Sequence, residues 1–364
     1  MKPKEPRMEG LELRVIRHPL EFVQPARTSR DVLTTKPTFF LVAQHPDGRR
    51  GCGECSLIPG LSPESEEIAL RALQEVVKSG TLDPVSVSAQ CPAVRFAVEM
   101  ALMDLEGGGA QLLLDNDFAR GQESIKINGL IWMNSPEHMM QQAAQLIHHG
   151  FKTLKMKIGV LPFVEELVWL EAVRSLAPQS EGFTLRVDAN GAFSKSDDDW
   201  KPLQKLEKLA HLGVHSIEQP LLASDRKGLA KLCAESPLPI ALDESLIGVF
   251  GEERHRLLEA LQPQFLVLKP SLIGGLAAAG EWLTLAESLG VNWWATSALE
   301  SNVGLNAIAQ WTAGQLEHAT SPLPQGLGTG GLFTNNVDSP LVIEGEYLSI
   351  KPSTPWVWPN SFEQ

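Results

Sequence analysis

The feature of this 364-residue chain that most restricts its fold is a recurrence along its second half. Short apolar runs ending at Lys157, Asp188, Glu218, Asp243, Lys269 and Ser297 have the length and β-branched content of buried strands. These last residues stand 31, 30, 25, 26 and 28 positions apart, each gap long enough for one helix and its turns. Helical patterns fill the gaps, near 163–176, 199–212, 227–234, 252–261 and 276–289, and another runs over 302–313. A strand over 125–132 precedes them, with a helix that starts at Ser135-Pro136 and reaches Gly150. Seven or eight successive βα units mean a (β/α)8-type barrel or a doubly wound sheet.

The first 120 residues follow another pattern. Strands are expected over 11–15, 38–43 and up to Glu54, with a polar loop over 27–36 and a second loop over 56–62. Helices follow over 63–78 and 92–106, the latter placing Val94, Ala97, Val98, Ala101, Leu102 and Leu105 on one face. Strands before helices give an α+β unit. The expected division is therefore a 1–120 α+β capping domain, a 121–325 barrel and a 326–364 segment that completes the barrel edge and packs on the cap.

Composition narrows the function. With 31 basic and 44 acidic residues the formal charge is −13, and no Lys/Arg cluster stands out, so a nucleic-acid or anionic-membrane surface is not expected. No stretch has the apolar length of a signal peptide core or a membrane span, so a cytoplasmic protein is expected, as a monomer or homo-oligomer. Four scattered cysteines make no disulfide framework, and Cys52-Gly53-Glu54-Cys55 lacks the second pair or histidines of a zinc site. A small-molecule partner is expected.

Strand ends of a barrel surround one mouth, where active sites of this architecture are built. Asp188, Glu218 and Asp243 each have an ordinary structural explanation, as a turn cap, a partner of Arg186 and a helix cap. All three at one register of successive strands repel one another unless a cation joins them, and oxygen donors suit Mg²⁺ or Mn²⁺. Asn190 is placed to orient that set. A divalent ion holding a substrate carboxylate acidifies its α-carbon, which gives the flanking lysines a purpose. Lys157 is expected as the acid/base facing Lys269, and Lys155, on the same strand face, as a positive neighbour that lowers the Lys157 pKa.

The series Lys155-Met156-Lys157, Val187-Asp188-Ala189-Asn190, Ile217-Glu218-Gln219-Pro220, Leu242-Asp243-Glu244-Ser245 and Leu268-Lys269-Pro270 resembles the enolase superfamily, in its muconate-lactonizing subgroup. The resemblance implies a modified (β/α)7β barrel under an α+β cap, with Glu244 beside the metal ligands. The mandelate-racemase subgroup carries a histidine on the seventh strand, where this chain has Thr296-Ser297-Ala298. The segments 297–305, 325–333 and 53–60 resemble the o-succinylbenzoate synthases of menaquinone biosynthesis. That likeness implies a lyase performing a syn dehydration of a cyclohexadiene carboxylate, with Thr296, Ser297, Gly328, Thr329, Arg30 and Leu57 around the substrate. The alternatives are an N-succinylamino acid racemase or dipeptide epimerase, using Lys157 and Lys269 as a base pair, and a muconate-type cycloisomerase. Dipeptide epimerases of the family carry an acidic pair on the eighth strand, and 326–331 has no Asp or Glu.

Overall fold

The structure, a computed structural model, describes residues 10–27, 32–132, 134–195, 199–317, 319 and 322–362. In the N-terminal part, β1 (Glu12–Arg17), β2 (Leu20–Arg27), β3 (Val32–Lys36), β4 (Thr38–Gln44) and β5 (Arg50–Ser56) form two antiparallel pieces. One is the sheet β1-β4-β5, the other the ribbon β2-β3. The polar loop expected over 27–36 is thus a strand from Val32 onward. Its last side chain, Lys36, is fully buried, with its ammonium donating to the Ser56 hydroxyl and the charges of Glu300 and Glu54 offsetting part of the cost of burial.

Helix α1 (Glu66–Ser79) starts where the Ser65 side chain accepts from the Ile68 N–H, and ends at Gly80 in the left-handed region. Helix α2 (Pro92–Glu106) lies against β5 so closely that a Cβ at Gly53 would come 1.9 Å from the Ala97 carbonyl oxygen. Only glycine permits that approach. The expected apolar face of α2, including Val94, Ala97, Val98, Ala101 and Leu105, packs in the cap core. Its other face, through Phe96 and Met100, enters the barrel core, so the helix is buried on both sides.

The strand expected over 125–132 is two strands, β6 (Ser124–Lys126) and β7 (Gly129–Ile131). After them come α3 (Pro136–His148), β8 (Thr153–Lys157), α4 (Phe163–Leu176), β9 (Thr184–Asp188), α5 (Pro202–His211), β10 (Ser216–Glu218) and α6 (Arg226–Glu235). Next are β11 (Ile240–Leu242), α7 (Glu253–Leu261), β12 (Phe265–Leu268), the short α8 (Pro270–Ile273), α9 (Leu276–Ser288), β13 (Asn292–Ala295) and α10 (Asn302–Leu316). The strands from β7 to β13 form one parallel sheet in sequential order, which selects the barrel over the doubly wound alternative.

The barrel closes through two residues. Gln325 bridges Ile127 and Gly326 bridges Thr296, both in parallel, with Gly326 N–H donating to Ala295 O at 2.8 Å and Asn128 N–H to Gln325 O at 2.9 Å. This closure splits the expected strand at Ile127-Asn128. Upstream of the split, β6 pairs instead with the hairpin β14 (Leu341–Glu344) and β15 (Tyr347–Ile350). The chain returns to the cap near Phe362, whose ring packs at a tilt against Phe40 with ring centres 4.9 Å apart. On this packing we propose the division at 120 and 325, with the closing pair astride the second boundary. Among the described residues no helix is long and apolar enough to cross a membrane.

Candidate active site

Register brings the charged strand ends together. Lys157 pairs with Asp188 across β8 and β9, and Asp188 with Glu218 across β9 and β10, so their side chains leave the sheet at one level. Asp188, Glu218 and Asp243 are all 2% exposed or less. Met156, between the lysines in sequence, points away into the core.

Ammonium groups thread the three carboxylates into a chain. Lys155 Nζ touches Glu218 and lies 3.1 Å from Asp188 Oδ2, and Lys269 Nζ touches Asp243 and lies 3.7 Å from Glu218 Oε1. Burial works against the Lys155 and Lys269 charges, but the carboxylates overcome it and raise both above the ordinary lysine value. Burial also pushes Glu218 and Asp243 up. Asp188 is buried too, yet Lys155 and Lys157 hold it below the ordinary range. The Lys155 ammonium thus lies between two carboxylates, Asp188 and Glu218.

Lys157 Nζ donates to Asn190 Oδ1 at 2.6 Å and lies 3.3 Å from Asp188 Oδ2. Asn190, at a left-handed φ of 43°, turns its amide N–H to Glu244 Oε1 at 3.0 Å. It therefore aims Lys157 and Glu244 as well as capping Asp188, whose Oδ1 accepts its backbone N–H at 3.2 Å. The loop after β8 is held by Glu166 of α4, a residue the sequence reading missed, which accepts from the N–H groups of Gly159, Val160 and Leu161.

Among the described residues no three Asp, Glu, His or Cys side chains close on one point in this arrangement. The donor set nevertheless fits a hard divalent ion: three carboxylates share a space in which lysine ammoniums supply the positive charge, and Glu218 Oε1 has no hydrogen-bond partner.

Lys155, Lys157, Lys269, Asp188, Asn190 and Glu244 line one pocket, with Thr296, Ser297, Gly326, Gly328 and Thr329 on another wall and Ile58, Pro59 and Leu61 of the cap over it. Of the expected substrate contacts, Thr296 and Thr329 are buried with hydroxyls that have no partner. Asn128, absent from the sequence reading, joins them with an unpartnered Oδ1, its place fixed by the strand break. Ser297 also lines the pocket, and its hydroxyl donates to Glu300 Oε2 at 2.6 Å and its N–H to Gly326 O at 3.0 Å. Leu57, expected at the substrate, packs in the cap core, while Ile58 lines the pocket, a consequence of alternation past the strand end. Arg30 lies outside the described residues. Gly328 lines the pocket, but the glycine that close approach demands is Gly326, where a Cβ would meet Thr296 Oγ1 at 1.9 Å.

A barrel whose successive strand ends carry three carboxylates between lysines, beneath an α+β cap, defines an enzyme of the enolase type. The sequence pattern described as enolase C-terminal domain-like matches residues 138–353, and the chain belongs to that family. It is 44% identical to the o-succinylbenzoate synthase of Desulfotalea psychrophila over 94% of this chain and all of that one. The crystal structure of MenC from the same organism superposes with a TM-score of 0.82, at 41% identity, covering 94% of this chain and all of that one. An N-succinylamino acid racemase of Thermus thermophilus is 30% identical over 82% of this chain and 80% of its own. A dipeptide epimerase of Enterococcus faecalis, solved with Mg and L-Leu-L-Tyr, has the same fold at 19% identity and TM-score 0.80, covering 95% of this chain and 97% of that one.

Proposed function

We propose that this enzyme is a lyase that dehydrates 2-succinyl-6-hydroxy-2,4-cyclohexadiene-1-carboxylate to 2-succinylbenzoate, the o-succinylbenzoate synthase reaction of menaquinone biosynthesis. The observation that carries the reading is the pocket's division of labour: Lys155, Lys157 and Lys269 stand with Asp188 and Glu244 on one side, and the unpartnered hydroxyls of Thr296 and Thr329, with the Asn128 carbonyl oxygen as an acceptor, line the other. A substrate with a ring carboxylate and a succinyl tail matches both walls. The whole-length likeness to the Desulfotalea psychrophila enzyme supports it.

Asp188, Glu218 and Asp243 would hold Mg²⁺, with Asn190 and Glu244 orienting the set. When bound, the ion would neutralise the substrate carboxylate and acidify its α-carbon. Lys157 Nζ, released from Asn190, takes the α-proton and as an ammonium returns a proton to the departing hydroxyl on the same face, so that water leaves and the ring becomes aromatic. Lys269 stays cationic beside the electron-rich carboxylate. Ile58, Pro59 and Leu61 exclude bulk water from above.

The test is turnover of the cyclohexadiene acid with Mg²⁺, followed by formation of the aromatic product. Dialysis against a chelator is expected to abolish it and added Mg²⁺ to restore it. No turnover at high enzyme concentration sinks the reading. A second reading, racemisation of N-succinyl amino acids, is favoured by Lys157 and Lys269 lining one pocket and by the Thermus thermophilus relative. Deuterium exchange at the α-carbon of such substrates tests it, and the muconate-type reading predicts lactone chemistry in place of both.

A further inference from the structure

A second buried ionic cluster lies outside the chemistry just described, where the cap meets the barrel. Lys36, Glu54 and Glu300 are each 0% exposed. Glu300, in the turn between β13 and α10, accepts from the Ser271 hydroxyl with one oxygen, and with the other from the Ser297 hydroxyl at 2.6 Å and the Ala298 N–H at 2.7 Å. Ser271 stands two residues past Lys269, so one carboxylate clamps the loop carrying Lys269 to the loop carrying Thr296 and Ser297. Lys36, the nearby cation, feels the charges of Glu300 and Glu54 and donates to the Ser56 hydroxyl, where β5 ends and the pocket-covering loop begins. Glu54 caps α10, accepting from the Ser301 and Gly304 N–H groups at 2.8 Å and the Ser301 hydroxyl at 2.5 Å.

We propose that Glu300 is a positioning residue which, with Lys36 as counter-charge, ties the Lys269 loop, the 296–298 loop and the cap loop after Ser56 into one unit. A rigid tie of this kind keeps the pocket's lid, its cation and its neutral wall at fixed spacing. A displacement of about 1 Å at a reacting group costs up to about a hundredfold in rate, so a tether that never touches substrate still shows in turnover. Only the kinetic arm of the test rests on the dehydratase reading.

The experiment has two arms. In the first, hydrogen–deuterium exchange is measured on the full-length protein without substrate. Glu300→Gln keeps the side-chain shape and leaves Lys36 with the Glu54 charge nearby, and amide exchange in 56–62 and in 269–275 is expected to rise about tenfold together. In the second, each hydroxyl is removed singly. Ser271→Ala is expected to lower kcat with KM kept, whereas Ser56→Ala is expected to raise KM with kcat kept, a split that general loosening does not give. Wild-type exchange in both segments of Glu300→Gln overturns the proposal, as do wild-type kcat and KM in both serine variants. Should Glu300→Gln not fold, exchange in the two serine variants decides, each loosening only its own segment if the tether is real. If the wild-type enzyme turns over neither candidate substrate, the dehydratase reading fails while the exchange arm still judges the tether.

Discussion

The protein contains two buried ionic clusters whose construction differs. At the barrel mouth, Asp188, Glu218 and Asp243 are buried among Lys155, Lys157 and Lys269, Asp188 and the lysines line the pocket, and Glu218 Oε1 is left without a hydrogen bond. At the seam, one lysine serves as counter-charge to two carboxylates, and backbone N–H groups and serine hydroxyls supply the hydrogen bonds of those carboxylates. Burying an ion is costly unless its remaining lone pairs are satisfied. The seam meets that condition with the cap and barrel backbone, so its charges fasten the fold. The mouth leaves Glu218 Oε1 unsatisfied and puts Asp188 and the lysines on a pocket wall, so its charges are available for chemistry.

The largest effects should fall on opposite properties in the two clusters. Lys157→Ala is expected to lower turnover about a thousandfold, the usual loss for a general acid/base, with the denaturation midpoint nearly unchanged. Steady-state kinetics beside a urea melt decides, and turnover near wild type would remove Lys157 from the role of base. Glu54→Ala is expected to do the reverse. It takes away three hydrogen bonds and half of the negative charge facing Lys36, at a cost of about 3–5 kcal/mol of stability. Equal losses of stability in the two variants would break the contrast.

The two clusters were unequally legible in the sequence. The mouth could be read because it repeats: an apolar run fixes each strand, and the parallel βα grammar puts successive strand ends at one level, so Lys157, Asp188, Glu218, Asp243 and Lys269 declare themselves by spacing alone. The seam has no period. Thr34-Thr35-Lys36 reads as a polar loop until Glu54 and Glu300 arrive from elsewhere in the chain, and a lysine is not expected inside without them. Asn128 was hidden inside a stretch that reads as one continuous strand, whose interruption comes from Gln325. One signal was present and missed: Ser297-Ala298-Leu299-Glu300 has the spacing of a capping box, a local use for the hydroxyl that competes with substrate binding.

A smaller effect sharpens the contrast through pH. Glu99 of α2 accepts from the Leu276 N–H at the start of α9, a second fastening of cap to barrel, and burial pushes its pKa up from 4.5 to about 7. The folded state therefore holds this proton more tightly than the unfolded state, so its contribution to stability is full below about 4.5 and is lost as pH rises through about 7. Urea midpoints of the wild type should fall across that window. Glu99→Gln should flatten the fall by about 2 kcal/mol, and an unchanged slope would mean that Glu99 does not titrate there.

The smallest effect separates two adjacent residues on the pocket wall. Thr296 has a buried hydroxyl with no partner, whereas the Ser297 hydroxyl is committed to Glu300. Thr296→Val keeps the shape and removes the hydroxyl, so KM should rise about fivefold, the worth of roughly 1 kcal/mol for one hydrogen bond, with kcat kept. Stability should hold or increase slightly, because an unsatisfied buried hydroxyl becomes a methyl group. Ser297→Ala should instead cost stability, about 1 kcal/mol, by stripping one donor from a buried carboxylate. Measured together, the pair places the boundary between the two clusters within one peptide unit. An unchanged KM in Thr296→Val would move that boundary inward and leave Thr329 and Asn128 as the neutral wall.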